Sequence, residues 1–234
     1  MSATGSFVEQ ARQRAERFGV RNVVVATLTG ETVRLVREVF GPDYRLYAVG
    51  NPTTAHGREL VYHDGTTEET RRNLEQEGTT VVLMDQGPFQ AISIGGQPYD
   101  VGGEVPSEIW RGAHKSIGDW GFIGRLNEVI TKGLCGEINP LWIMSQTIAS
   151  LLGDGPAVCL EVTLMAADSG KLSLDEDCMA IARPRPASHA PDAALILHPQ
   201  TTPHFLAGLR IKDLLLRPRP GDHWFCDRPL WPDG

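Results

Sequence analysis

Residues 22–33 read NVVVATLTGETV, and the rest of the chain can be read outward from them. The β-branched run through Val23, Val24 and Val25 predicts a strand over Asn22–Thr27 that is buried on both faces. Gly30 and Glu31 then open a helix whose apolar positions are Val33, Leu35, Val36, Val39 and Phe40, and Gly41-Pro42 stops it. Upstream, Phe7, Ala11, Ala15 and Phe18 recur at helical spacing and end at Gly19. Downstream, Tyr44–Val49 predicts a second strand, Thr66–Glu77 a polar helix closed by Gly78, and Thr79–Met84 a third strand. Strands alternating with helices at these spacings imply βαβ units and a parallel sheet.

The middle of the chain is less regular. SIGGQPYDVGGE at 93–104 has the glycine and proline content of a loop. Ser107–Trp110 and Ile123–Lys132 read as helical. Pro140–Leu152 and Pro156–Ser169 predict two successive apolar helices, one flush on the sheet and the other between it and a partner. CMAIA at 178–182 and AALILH at 193–198 predict a fourth and a fifth strand, joined by a proline-rich loop. LRIKDLLL at 209–216 precedes RPRP and a tail with Trp224 and Trp231. The expectation is one α/β domain over 1–234, with a glycine- and aromatic-rich insertion at about 95–120 and a tail from about 217. Tyr99, Trp110, Trp120 and Phe122 suit that insertion to a lid or an interface.

Composition narrows the function classes. The 234 residues carry a net charge of −7, which argues against a nucleic-acid binder. The longest charge-free apolar stretch, Ile138 to Gly153, falls short of the ~20 residues that span a bilayer. The first residues turn charged without an apolar run, so no signal peptide is read, and Cys135, Cys159, Cys178 and Cys226 are expected to be reduced thiols of a cytoplasmic protein.

VVVATLTGETV at 23–33 resembles the first strand and loop of the pyruvate kinase C-terminal domain. GDGPAVCLEVTLMAADSG at 153–170, AALILHP at 193–199 and LRIKDLLLRPR at 209–219 are similar to a stand-alone, pyruvate kinase C-terminal-domain-like family of prokaryotes. The resemblance covers most of 21–84 and 141–219. It implies a three-layer α/β/α fold with a mixed, mostly parallel five-stranded sheet whose last strand is antiparallel. It also implies that the 27–32 loop holds a phosphate, as the similar loop of pyruvate kinase does. The chain departs from the family in two places. RPRPASH at 183–189 replaces a Gly-Gly-Thr-rich loop, and DQGPFQ at 85–90 replaces a Thr-His-Ala-like segment.

The residues themselves support an anion at the same place. A loop at the carboxyl end of a strand, opening a helix, presents free N–H groups and a favourable dipole. Thr27, Thr29 and Thr32 add hydroxyls there and Gly30 permits close approach, although Thr29 could equally be an ordinary helix cap and Glu31 adds an unfavourable charge. Asn51 and His56 follow the second strand along the same edge, where a plain polar turn is the commoner reading. Arg183 and Arg185 suit either an anion or an interface. Glu161 and Asp168 lie seven apart on one helix face, with Asp168 the better candidate for tying a turn than for acid–base work. Cys135 lies between glycines with no histidine at a diagnostic spacing, and neither His56/His63 nor His198/His204 has zinc spacing.

Two function classes follow. The first is a protein that holds a phosphate-bearing metabolite or nucleotide, with flavin mononucleotide one candidate, through Thr27, Thr29, Gly30, Thr32, Asn51 and Arg183. It would bind no nucleic acid and no membrane, and it would be a homo-oligomer. The alternative is an oligomeric structural or interaction protein whose ligand site has decayed. A hydrolase built on Glu161 or Cys135 ranks third. The chain is too short to hold pyruvate kinase's barrel domain of ~250 residues.

Overall fold

The computed structural model describes residues 3–50, 66–84, 93–94, 97–98, 144, 147–149, 151–183 and 191–216. Helix α1 (Ala3–Phe18) leads into β1 (Asn22–Ala26), α2 (Glu31–Phe40), β2 (Arg45–Gly50), α3 (Glu68–Gln76) and β3 (Thr80–Leu83). Two-residue strands β4 (Ser93–Ile94) and β5 (Gln97–Pro98) pair antiparallel within the stretch expected to be loop. Then come α4 (Asp154–Asp168), β6 (Cys178–Ala182), β7 (Ala193–His198), the one-turn helix α5 (Phe205–Gly208) and β8 (Arg210–Leu216). The main sheet has six strands in the order β3-β2-β1-β6-β7-β8.

The α/β class and the mixed, mostly parallel sheet agree with the reading of the sequence; the strand count does not. β3, β2, β1 and β6 run parallel, and β7 opposes β6. The fifth predicted strand is therefore antiparallel as expected, but it is not the last. β8 opposes β7, so it points the same way as β6 and forms the edge. Its pattern, three exposed residues followed by four half-buried ones, lacks the clean alternation that marks a strand in sequence.

Period-two alternation divides the core between the two faces of the sheet. Val23, Val25, Leu46, Ala48, Met179, Ile181 and Ile196 point to the side of Phe7, Val36 and Leu74, which come from α1, α2 and α3. Val24, Val49, Ala180, Ala182, Leu195 and Leu197 point to the side of Leu160, Leu164 and Met165 of α4. Helix α4 is buried nearly all round, with only Val158 and Glu161 half-buried before its exposed last residue Asp168. It starts at Asp154, so Pro156 falls third in the helix, still within the first turn where proline is tolerated. The described residues of the preceding helical stretch behave differently. Ala149 is buried and Met144 and Ile148 are half-buried, but Leu151 and Leu152 are exposed. Among the described residues, α4 is thus the helix that lies flush on the sheet, while the end of the preceding stretch is open at Leu151 and Leu152.

Most of the 95–120 insertion, the loop 184–190 and the tail from 217 lie outside the described residues, as do Asn51, His56, His63 and Cys135. Among the described residues no helix is long and apolar enough to cross a membrane.

Candidate functional site

The strand order reverses between β1 and β6: from β1 the chain proceeds outward through β2 to β3, and from β6 outward through β7 to β8. Such a switch point leaves a crevice at the carboxyl ends of the strands. The register aligns what borders it. Val25 is beside Ile181 and Ala182 is beside Ala193, so Thr27, Arg183 and Asp192 continue as one row across the sheet. On the other side the Thr27 N–H donates to the Val49 carbonyl at 2.9 Å, which brings Gly50 into the same row.

The 27–32 loop is tightly built. Thr27 is buried, and its hydroxyl accepts from the Gly30 N–H at 3.0 Å. The Thr66 hydroxyl reaches the Thr27 carbonyl at 3.4 Å. Gly50 lies so close that a Cβ there would sit 2.3 Å from the same carbonyl oxygen. Gly30 is the N-cap of α2 at φ 84°, a left-handed conformation suited to glycine, and a Cβ there would crowd Arg34, Leu74 and Thr70. The N-cap residue is thus Gly30 and not Thr29, whose capping was one of its two readings. Thr29 is exposed, and its hydroxyl is 3.5 Å from the Glu31 N–H, a marginal contact. Thr32 is buried in the first turn.

Three helices begin at this edge, and their N-termini differ. Thr67 caps α3, its hydroxyl accepting from the Thr70 N–H at 3.0 Å. Helix α4 begins after Gly153, and its first turn contains Pro156, which has no N–H. Gly155 of that turn abuts Asp192, whose Oδ1 would be 2.8 Å from a Cβ on the glycine. Asp192 is only 4% exposed, so α4 starts beside a buried carboxylate. The N-cap of α2, Gly30, has no side chain to bond the first turn, and beyond the Thr27 and Thr29 contacts described above no side-chain bond to it is seen among the described residues. Arg34, one turn in, lies against Gly30 and is held by Glu77 through Nε–oxygen contacts of 3.0 and 3.2 Å. Long helical side chains lean toward the N-terminus, which aims this guanidinium at the start of α2.

The structure therefore brings Thr27, Thr29, Gly30 and Thr32 together and places half-buried Arg183 in the same row as Thr27; Asn51 lies outside the described residues. The sequence reading missed Arg34, Thr66 and Asp192, while Gly50 opens the 50–56 stretch that it placed along this edge. Asp192 had one visible signal, an acidic residue directly before the apolar strand AALILH.

The other candidates disperse. Asp168 accepts from the Thr202 N–H at 2.8 Å and from its hydroxyl at 2.5 Å, pinning the end of α4 to the 3-10 turn Thr202–His204. The carboxylate is a tie, as its position near the helix end suggested, although the turn it ties is not the adjacent one. Glu161 is about 10 Å away along the helix, too far for a shared proton. His198 Nδ1 is 3.1 Å from Asp177, and His204 Nδ1 is 3.1 Å from the Thr201 hydroxyl. Among the described residues no group of three His, Cys, Asp or Glu could hold a metal ion. Cys159 and Cys178 are buried and not in disulfides. Burial, with Asp177 adding to it, pushes the Cys178 thiol up to about 12, and burial drives Cys159 well above the usual thiol range. Neither is a ready nucleophile. No protein-family model matches the chain.

Proposed function

We propose that the protein binds a small phosphate-bearing metabolite or nucleotide at the carboxyl edge of the sheet, with the anionic group against the start of α2. One observation carries the reading. Of the helix N-termini described at this edge, α3 is capped by Thr67, and α4, which also opens on an uncapped glycine, adjoins the Asp192 carboxylate, whereas α2 opens on Gly30 with no side-chain bond from its cap residue and no buried carboxylate against it. Backbone N–H groups left in this way at a helix start suit a phosphate. The exposed Thr29 hydroxyl, Arg34 and Arg183 would supply the side-chain donors. The resemblance of 23–33 and 153–170 to pyruvate kinase C-terminal-domain-like proteins supports the same assignment, and flavin mononucleotide is the first nucleotide to try.

Exposed Glu31, at the first position of α2, favours the other reading, an oligomeric interaction protein with a decayed site. One experiment separates the two. The purified protein is inspected for flavin absorbance, and material released on denaturation is identified by mass spectrometry. The protein is then titrated with inorganic phosphate, adenosine monophosphate and flavin mononucleotide while backbone amide resonances are followed. Saturable shifts confined to 27–34 and 183 are expected. A chain that carries nothing and shows no saturable shift with any of the three would replace the ligand reading with the interaction reading.

A further inference from the structure

The two faces of β8 are finished differently. On the α1 side, Arg14 reaches Asp213 through Nη1 contacts of 2.6 and 2.8 Å, and Leu215 packs into the core. On the α4 side, Leu214 and Leu216 are only half-buried, as is Val158 of α4. Ile211 pairs with Leu197, a residue of that same face, yet it is 49% exposed. Leu151 and Leu152 are 75% and 42% exposed. They immediately precede α4, whose Gly155 lies against Ala193, and Ala193 is the strand partner of Leu216. Ile211, Leu214, Leu216 and Val158 thus make an incompletely covered apolar strip on this face, and exposed Leu151 and Leu152 stand near its end, where α4 begins beside the carboxyl edge. An apolar strip of this kind calls for a cover.

We propose that the chain's own residues 217–234 cover it, with Trp224, Phe225, Leu230 and Trp231 as the anchors. This segment leaves β8 at Leu216, so it starts on the strip. Pro218 and Pro220 cannot donate to a ladder and prevent β8 from continuing, and Gly221-Asp222 has the chemistry of a reversal. With a reversal at Gly221-Asp222, Trp224 and Phe225 return toward the Leu216 end of the strip, and the ten residues from Asp222 to Trp231 span up to ~30 Å, enough for Leu230 and Trp231 to reach along β8, which is ~23 Å long. Two tryptophans and a phenylalanine bring several hundred Å² of apolar surface, on the order of 150–250 Å² each, which gains most by leaving water. The edge itself is unsuited to pairing with the same strand of a second copy. The register slips at Ile196/Leu197, leaving Lys212 as an extra residue, and the sequence after the strand is RPRP. Both features oppose edge-to-edge association.

Hydrogen exchange of the full chain tests the assignment, beside a Trp224→Ala/Trp231→Ala variant and a Leu151→Glu variant. Leu151 is so exposed that its replacement leaves the core intact. Both variants are expected to speed exchange of the β8 amides by about tenfold, with β1–β3 unchanged and the same elution volume. Chymotrypsin is expected to spare Phe225 in the full chain and to cut after it in Leu151→Glu. Unchanged β8 exchange in both variants would overturn the proposal, as would equal cleavage at Phe225. Protection of β8 that falls on dilution, together with a dimer on size exclusion, would overturn it in favour of a second copy.

Discussion

At the amino edge of the sheet, side chains answer side chains. Buried Asn22 donates to Glu176 at 2.9 Å and accepts from the Tyr47 hydroxyl at 3.3 Å, while Arg45 pairs with the same Glu176. Alongside, Asp177 bridges His198 at 3.1 Å and Lys212 at 2.5 Å, tying the start of β6 to β7 and β8. At the carboxyl edge the same strands end in small or inward-committed residues: Gly50, Thr27 with its hydroxyl turned onto Gly30, and the glycine cap of α2. One edge satisfies its polar groups internally and adds to stability. The other has side chains bonding main-chain groups of its loops, as Thr27 and Thr66 do, and opens α2 on a glycine with no side chain to cap it. That contrast is the one expected if the carboxyl edge is the proposed binding edge and the amino edge a structural one.

The contrast can be broken or sharpened by four measurements, taken from the largest expected effect to the smallest. Gly50→Val would drive a side chain into the Thr27 carbonyl, 2.3 Å from where its Cβ must sit, and also press on Thr66. A loss of about 3 kcal/mol in urea unfolding is expected, as for severe overpacking, together with loss of any phosphate response. Asn22→Ala leaves the Tyr47 hydroxyl without its acceptor in a site where Asn22 is 1% exposed. It should lower stability by about 2 kcal/mol while leaving phosphate affinity untouched. A change in affinity would show that the two edges are not separable.

Asp177 supplies the pH test. Burial raises its carboxyl, but the hydrogen bonds and charges of Lys212 and His198 outweigh that, and the net shift is downward. A carboxyl depressed in the folded state contributes stability that is fully present above its unfolded value of about 4 and is lost as pH falls through the folded value. Asp177→Asn should therefore flatten the acid side of a stability–pH curve, with little change in shape above neutrality. An unaltered acid limb would show that the bridge contributes nothing. The smallest stability effect is expected for Arg34→Gln. The Arg34–Glu77 pair is exposed, so stability should change by no more than about 0.5 kcal/mol. Phosphate affinity should nevertheless fall about three- to tenfold in an amide-shift titration, because a charge-assisted donor is lost. An affinity equal to that of the unaltered protein would remove Arg34 from the site.

Local chemistry was enough for much of this. The continuous valines of β1, the helical spacing in α1 and α2 and the glycines that close them are short-range signals, and the α/β class follows from their order. The strand-to-helix loop at Thr27–Thr32 is legible for the same reason, since Gly30 must take a conformation that few other residues adopt. Position in the tertiary structure decided the rest. β8 is a strand because β7 offers it a partner and α1 offers Asp213 an arginine, neither of which is near it in sequence. Asp168 looks like half of a carboxylate pair until the fold brings Thr202 to it. Thr66 carries no local mark of a site, and the acidic residue Asp192 before a strand is only a faint one. They meet Thr27, or the start of α4, through strand register and helix packing, which act between residues tens of positions apart. Sequence determines which segments can be strands and helices because backbone preference and periodicity are local. Which side chains share an edge is settled only when those segments dock.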